Sequence, residues 1–157
     1  EWNDVDILVI DLPPGTGDTQ LTLAQQVPIS GSVIVSTPQD VALLDVKKGI
    51  NMFKKVEIPV FGVIENMSYF LCPHCSSKTE IFSYGGAKKT ANEYGIEFLG
   101  EIPLDTKIRE HADKGEPLFN NKENIEYNEI YTKIANKLID KLENQESATG
   151  PKINFID

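Results

Sequence analysis

The chain has 157 residues, 40% of them apolar, and its 24 acidic and 15 basic residues give a net charge of −9. This length and apolar content predict one globular domain with a packed core, and they exclude a fibrous or disordered protein. The negative charge argues against general affinity for nucleic acid or anionic membranes, so we expect proteins, metals or small ligands as partners.

The cysteines and the start of the chain bear on its location and continuity. The two cysteines stand three positions apart and cannot join distant parts of a fold as disulfides do in secreted domains. Neither a basic-then-apolar leader nor a membrane-length apolar run occurs, so we expect a cytoplasmic protein without a membrane partner. The sequence opens at Glu1 with an apolar segment close behind, and we expect it to be part of a longer polypeptide.

Near-continuous apolar segments alternate with helical patterns, which is typical of a mostly parallel sheet with helices on both faces. The sequence therefore predicts an α/β domain over residues 1–142. Its predicted strands are short and rich in β-branched or aromatic residues, and they run from Asp6 to Asp11, Ser32 to Ser36, Pro59 to Glu65 and Glu97 to Ile102.

Two helices are predicted before the third strand. The first follows Asp18 and ends at Pro28, and the second has Thr37 as its cap with Pro38 at the first helical position. The buried face of the second helix is predicted to contain Val41, Leu44, Ile50 and Phe53.

Three further helices are predicted from about Gly86 to Tyr94, Thr106 to Lys114 and Asn124 to Leu142, and the first two are expected to end at Gly95 and before Gly115. The last has apolar residues at spacings of three and four and mixed charges on its outer face, which favours packing on the sheet over a membrane surface. Residues 143–157 are polar at first and predict a flexible tail.

Asp11 ends the first predicted strand, and ligands of open α/β sheets lie beyond the carboxyl ends of strands. An acid placed in this way can hold Mg²⁺ beside a nucleotide, so Asp11 is the candidate catalytic residue. Gly15, Thr16 and Gly17 follow it before a predicted helix start, where free backbone N–H groups can contact a phosphate. A turn or cap role is the structural alternative for Asp11.

Asn66 closes the third predicted strand, and its amide can both donate to and accept from an adenine edge. The residue type alone favours a structural role about equally, in which the Asn66 side chain bonds the backbone of the loop that it opens. The phosphate-binding pattern Gly-x-x-x-x-Gly-Lys-Ser/Thr does not occur in the sequence. We therefore do not expect this chain alone to be a competent ATPase.

Cys72 and Cys75 form a Cys-Pro-His-Cys loop, which supplies half of a thiolate metal site. Zinc and cubane iron–sulfur centres take about four soft ligands, and two copies related by a twofold axis would supply them. Such a centre would be exposed and easy to release, which suits a carrier. A thiol oxidoreductase is a less favoured alternative because polar residues, and not an apolar helix start, follow the motif. An exposed pair without a role is less favoured still.

Four segments occur in a characteristic order: Asp-Leu-Pro-Pro-Gly-Thr-Gly-Asp at 11–18, Ser-Thr-Pro-Gln-Asp at 36–40, Glu-Asn-Met-Ser at 65–68 and Cys-Pro-His-Cys at 72–75. Together they resemble the Mrp-type iron–sulfur cluster carrier ATPases, a deviant-Walker branch of the P-loop NTPases. The resemblance runs from about residue 4 to 120. The first strand, P-loop and signature lysine of that family are missing from the sequence, so we expect a C-terminal fragment.

The resemblance implies a P-loop NTPase-like fold and a homodimer in which Cys72 and Cys75 bridge a [4Fe–4S] cluster that is passed to apoproteins. It also implies that the full-length protein uses ATP and Mg²⁺. Asp11 would then be the magnesium-linked acid, residues 13–17 the nucleotide-responsive switch, and Asn66 an adenine contact.

Two other functions stay open. The same thiolates could bind zinc in place of iron and form a dimerisation module without transfer activity. A MinD-like positioning ATPase would need a membrane-binding or partner-binding element, which we do not find in the sequence.

Overall fold

The structure is a computed structural model that describes residues 4–13, 15, 17–118 and 125–144. Its helices are α1 (Asp18–Gln26), α2 (Asp40–Lys55), α3 (Gly86–Glu93), α4 (Thr106–Lys114) and α5 (Ile125–Glu143). Its strands are β1 (Ser32–Ser36), β2 (Val60–Leu71), β3 (Lys78–Thr79) and β4 (Phe98–Leu104).

Strand β2 is the centre of the sheet. Strands β1 and β4 lie on either side of it and run parallel to it, with Ile34 and Phe98 both paired to Val63. Strand β3 is antiparallel and pairs with Phe70 and Leu71 at the end of β2. Parallel neighbours need crossover connections, which α2 supplies between β1 and β2 and α3 supplies between β2 and β4.

Helices cover both faces of the sheet, as the sequence predicted. Val63 and Ile64 are consecutive in β2, so their side chains point to opposite faces. Val63 belongs to a buried cluster with residues of α2 and α3, namely Leu43, Val46, Ile50, Ala87 and Ala91. Ile64 belongs to a second cluster with Leu99, Ile102 and Ile134 of β4 and α5. The predicted α/β class with a mostly parallel sheet is confirmed.

Two helix ends predicted from glycines agree with the structure. Helix α3 ends shortly before Gly95, at φ 66°, and α4 ends before Gly115, at φ 67°. This left-handed backbone is accessible to glycine without the steric cost that a Cβ brings. Helices α1 and α5 also lie within a few residues of their predicted bounds.

The start of α2 differs from the prediction. The helix begins at Asp40 with Gln39 in the cap position, so Thr37 is not the cap, and Thr37 Oγ1 donates to Gln39 Oε1 at 3.1 Å. The segment before the helix packs against the start of α3, since a Cβ on Gly86 would lie only 2.8 Å from the carbonyl oxygen of Pro38. This tertiary contact accompanies a non-helical Pro38, although proline is favoured at a first helical position.

The buried face of α2 is also shifted. Val41 and Leu44 are 78% and 59% exposed, so the prediction that they face the core is wrong. Leu43 and Val46 are buried in their place, together with Met52 and with the correctly predicted Ile50 and Phe53. Leu43, Val46, Ile50 and Phe53 follow spacings of three and four and so share one helix face. The predicted Val41 and Leu44 precede Ile50 and Phe53 by nine positions, which places them on the opposite side of the helix at about 100° per residue.

The first predicted strand is absent from the structure. Residues 6–11 form no strand, and Val9 is 87% exposed. Apolar residues of high strand propensity form a stable strand only when neighbours satisfy their backbone groups, and in the described sheet β1 pairs with β2 alone. The prediction for Asp6 to Asp11 is wrong for this structure, and Asp11 does not end a strand of the sheet.

Strand β2 is longer than predicted and continues past Glu65 to Leu71. The predicted tail lies almost entirely outside the described residues, since α5 ends at Glu143 and the description ends at Asn144. Thr16 and Asn124 also lie outside the described residues. No described helix has the length and apolar character needed to cross a membrane.

Candidate functional site

The two cysteines lie in a tight turn that joins β2 to β3. The backbone N–H of Cys72 donates to the carbonyl oxygen of Ser77 at 3.0 Å, and the N–H of Ser76 donates back to the carbonyl oxygen of Cys72 at 2.8 Å. Ser76 has a left-handed backbone, at φ 56°, which closes the turn. These bonds hold the six residues 72–77 as the end of a β-hairpin.

Hydrogen bonds within the turn favour the thiolate form of one cysteine. Both thiols are free; Cys75 is exposed and Cys72 is half-buried. The Cys75 Sγ and Ser77 Oγ atoms lie 3.1 Å apart. The bond from the Ser77 side chain, followed by one from the Ser77 backbone and one from the Cys72 side chain, lowers the pKa of Cys75. Thiolates are the form of cysteine that binds metals.

The base of the hairpin is fixed by a lysine between aromatic rings. The Lys78 Nζ atom lies 4.2 Å from the centre of the Tyr69 ring and 4.9 Å from that of Tyr84. Its ion pair with Glu101 of β4 spans 3.9 Å. The charge of Glu101 is also the main cause of the raised pKa of Tyr84. These contacts attach the hairpin to the end of the sheet.

The hairpin offers two sulfur ligands to a metal. Within the described part of the chain, no three His, Cys, Asp or Glu residues are grouped so as to hold a metal ion. His74 lies inside the turn and is exposed. The motif joins two strands and does not precede a helix, so the helix N-terminus that activates a thiol oxidoreductase is not provided here. The metal half-site at Cys72 and Cys75 therefore stays a prediction.

Asn66 lies within β2 and does not close it. Its Oδ1 atom accepts a hydrogen bond from the backbone N–H of Met67 at 3.0 Å, and Met67 is left-handed at φ 56°. The local backbone bond that was the structural alternative for Asn66 is therefore present. This local bond does not test the contact between Asn66 and adenine, which stays a prediction.

A buried carboxylate next to Asn66 was not identified as a candidate from the sequence. Glu65 is 0% exposed, and its Oε2 atom accepts from the N–H of Ala87 at 2.8 Å. Its Oε1 atom accepts from the N–H of Gly85 at 3.2 Å and from the hydroxyl of Ser68 at 2.6 Å. An acidic residue at the end of an otherwise apolar strand is the sequence signal, since a buried charge needs several donors.

The predicted nucleotide loop is described in part. Asp11 and Gly15 are exposed, with Gly15 at φ 101°, and Gly17 occupies the cap position of α1 without a side-chain bond. Gln20 of α1 donates to the carbonyl oxygen of Pro13 at 2.7 Å and so holds the loop against the helix. The hydrogen bonds described here join this loop neither to Asn66 nor to the cysteines. Thr16 is outside the described residues.

Known proteins resemble this chain along most of its length. The model of the NUBPL iron-transfer P-loop NTPases, within the ParA group, matches residues 1–139. The chain is 50% identical over 159 residues to the iron–sulfur cluster transfer protein NUBPL of Dictyostelium discoideum. It is 47% identical over 154 residues to the iron–sulfur cluster carrier protein of Escherichia coli strain K12.

The chain spans about half the length of the curated relatives it matches. The two alignments cover 99% and 98% of this chain, but 49% and 42% of those proteins. A solved nucleotide-binding protein of Archaeoglobus fulgidus, in complex with ADP, superimposes with a TM-score of 0.60 at 45% identity. That match covers 66% of this chain and 43% of the other.

The predicted fold and family are therefore both confirmed. At 45% identity, the superposition shows that the sheet and helices described here have a P-loop NTPase-like fold. The family match extends from residue 1 into the last helix, α5. The chain belongs to the family of NUBPL-type iron-transfer P-loop NTPases.

Proposed function

We propose that this chain binds an iron–sulfur cluster through Cys72 and Cys75 and passes it to apoproteins. The observation that carries the proposal is the hairpin with two free thiols, one of them exposed with a lowered pKa. The printed names of the relatives, which are cluster carrier and cluster transfer proteins, support the same function. The cluster is cargo in this proposal, so a site at the surface is an advantage for release.

The proposal requires a second copy of the chain. A [4Fe–4S] cluster takes four cysteine ligands, and each hairpin supplies two. A symmetric dimer would bring two hairpins together, so that each copy completes the site of the other. The exposed apolar side chains of Ile81 and Tyr84, just after the hairpin, give such a pair a surface to bury.

Nucleotide binding belongs to the longer protein in this proposal. Asp11, Gly15, Thr16 and Gly17 are proposed to face ATP and Mg²⁺, and Asn66 the adenine. The phosphate-binding lysine loop does not occur among the residues of this chain, and Asp11 is exposed outside the sheet. We therefore expect no ATP hydrolysis by this chain alone. A cytoplasmic location and a lack of nucleic-acid and membrane partners remain predictions from composition.

A zinc-bridged dimerisation module is the second candidate. It is favoured by the same observation, because four thiolates from two hairpins also suit tetrahedral zinc. The two candidates differ in cargo and in consequence: zinc would stabilise the dimer, and its removal would lower the melting temperature. A MinD-like positioning ATPase would have to bind membranes or a partner. Co-sedimentation of the chain with liposomes in the presence of nucleotide would test for membrane binding.

Anaerobic reconstitution with iron and sulfide tests the proposal. We expect about four irons per dimer, a broad visible absorbance, and transfer of the colour to an apo-ferredoxin. Cys72→Ser and Cys75→Ser should remain colourless and monomeric, while the control His74→Asn should behave like the natural chain. Full metal occupancy on a strict monomer would refute the shared site. Zinc binding at one ion per dimer without cluster formation would favour the second candidate.

A further inference from the structure

The central strand contains a bulge between the proposed base contact and the cysteines. In the pairing of β2 with β4, Asn66 lies opposite Ile102, and the next paired residue, Phe70, lies opposite Leu104. Four steps along β2 therefore match two steps along β4, so β2 carries two extra residues. The left-handed backbone of Met67 lies inside this irregularity. The bulge sets how far the end of β2, and with it Cys72, extends past β4.

Two buried polar side chains hold this bulge. Glu65 and Ser68 are both 0% exposed, and the 2.6 Å bond between Ser68 Oγ and Glu65 Oε1 connects residues on either side of Asn66 and Met67. A short hydrogen bond from a hydroxyl to a carboxylate is among the stronger ones that proteins form. It fixes the path of the chain where the regular pairing of the two strands is interrupted.

The same carboxylate attaches the bulge to α3. Gly85, the cap residue of this helix, has no side chain, and the helix start has no side-chain cap of its own. Glu65 accepts the N–H groups of Gly85 and Ala87 in its place. A carboxylate at this position satisfies two otherwise unpaired donors and faces the positive end of the helix dipole. Glu65 thus joins the centre of β2 to the start of α3, where Ala87 is buried.

We propose that Glu65 and Ser68 are positioning residues for the metal-binding hairpin. Through the Ser68 hydroxyl, the carboxylate fixes the bulge against α3, and the fixed bulge directs Tyr69, Phe70, Leu71 and then Cys72. The inference rests on the proposed function insofar as the hairpin binds metal. Its structural part, that the end of β2 depends on this pair, stands independently.

Two variants separate the bond between Ser68 and Glu65 from the bonds between Glu65 and α3. Ser68→Ala removes the bond across the bulge and leaves Glu65 free to cap α3. Glu65→Gln disturbs the bonds to α3, because in either orientation the amide NH₂ group faces a backbone N–H, whereas the Ser68 hydroxyl can donate to the amide oxygen or accept from the NH₂ group. The matched control is Ser32→Ala, which makes the same chemical change at a buried serine at the start of β1, where the hydroxyl donates to the carbonyl oxygen of Pro59.

Hydrogen exchange on the metal-free chain is the first measurement. We expect Ser68→Ala to raise exchange in residues 66–72 by about tenfold, the equivalent of one lost hydrogen bond, while residues 85–89 stay protected. Glu65→Gln should raise exchange mainly in residues 85–89, and Ser32→Ala should raise it in neither segment. Unchanged exchange in residues 66–72 of a folded Ser68→Ala chain would overturn the inference. Should Glu65→Gln fail to fold, the Ser68 variant still decides.

Titration with Co²⁺ alone is the second measurement. The absorption spectrum of the bound Co²⁺ ion reports the geometry of its ligands. We expect Ser68→Ala to weaken Co²⁺ binding about tenfold and to change the visible bands, with Ser32→Ala matching the natural chain. If the natural chain fails to bind Co²⁺ through Cys72 and Cys75, the proposed function fails and the exchange result still tests the positioning role. If it binds, and Ser68→Ala gives the same spectrum and affinity, the positioning role is refuted.

Discussion

Two neighbouring leucines of α2 give a sharp test of how this helix packs. Leu43 is 8% exposed and belongs to the cluster on the α2 and α3 side of the sheet, whereas Leu44 is 59% exposed. A Cβ added to Gly86 would lie 2.6 Å from Leu43 Cδ1, so α3 packs directly on this side chain. Leu43→Ala would leave a cavity that the close helix contact cannot readily fill.

The expected magnitudes differ several-fold. A buried Leu→Ala change costs about 2–5 kcal/mol, and we expect about 3 kcal/mol for Leu43→Ala. Leu44→Ala should cost less than about 0.5 kcal/mol, because its side chain is largely exposed. Both variants make the same change of helix propensity at consecutive interior positions, so each controls for the other.

Urea unfolding of the metal-free, reduced chain, followed by circular dichroism, measures the difference. At an m-value of about 2 kcal/mol per molar urea, Leu43→Ala should lower the midpoint by about 1.5 M. The midpoint of Leu44→Ala should stay within about 0.3 M of that of the natural chain. A larger loss for Leu44→Ala than for Leu43→Ala would show that the helix faces the sheet as the sequence suggested, and would refute the packing described here.

Two further predictions concern a pair of glycines and a serine. Gly62→Ala should lower the free energy of unfolding by about 1–3 kcal/mol, because its Cβ would lie 2.4 Å from Leu99 Cγ. Gly49→Ala in α2 should instead raise the free energy of unfolding by about 0.5–1 kcal/mol, because alanine has the higher helix propensity. Urea midpoints that shift in the same direction for both variants would contradict this. Ser77→Ala should raise the pKa of Cys75, because it removes the bond that contributes most to the lowered value. The rate of Cys75 alkylation can be measured by mass spectrometry as a function of pH, and in the variant its increase should occur at higher pH than in the natural chain. Identical pH profiles for the variant and the natural chain would exclude a role for the Ser77 hydroxyl.

Local signals were sufficient for much of the fold. The strand at Ser32–Ser36 and the helix at Thr106–Lys114 were predicted to the residue, and Gly95 and Gly115 correctly marked helix ends. In these elements the apolar pattern, the caps and the backbone freedom of glycine all favour the same structure, so tertiary contacts have no conflict to resolve.

Predictions failed where a contact distant in sequence decides the outcome. Asp6 to Asp11 has strand propensity, but propensity cannot supply the neighbouring backbone groups that a strand requires. Thr37 and Pro38 have the residue types of a helix start, yet the packing of Pro38 against Gly86 accompanies a helix that begins later. No local pattern could have indicated this contact between residues 48 positions apart.

The candidate site shows the same division. The Cys-Pro-His-Cys spacing alone gave the two sulfurs and their turn, because neighbouring residues form the hairpin. The role of Glu65 could not be read in this way, because two of its three hydrogen-bond donors, Gly85 and Ala87, lie about twenty residues further along the chain. The acid was visible in the sequence, and only the fold shows what makes its burial tolerable.

The position of Asn66 relative to Cys72 bears on how a nucleotide and a cluster could influence each other. The two residues stand six positions apart, with Asn66 inside β2 and Cys72 directly after its end. Six residues of regular strand would span about 20 Å, and the two extra residues of the bulge make the actual separation shorter. Under the proposed function, a nucleotide that moves Asn66 therefore acts on the strand that bears the cysteines. The bulge held by Glu65 and Ser68 lies between them, so its rigidity determines how much of such a movement reaches the hairpin.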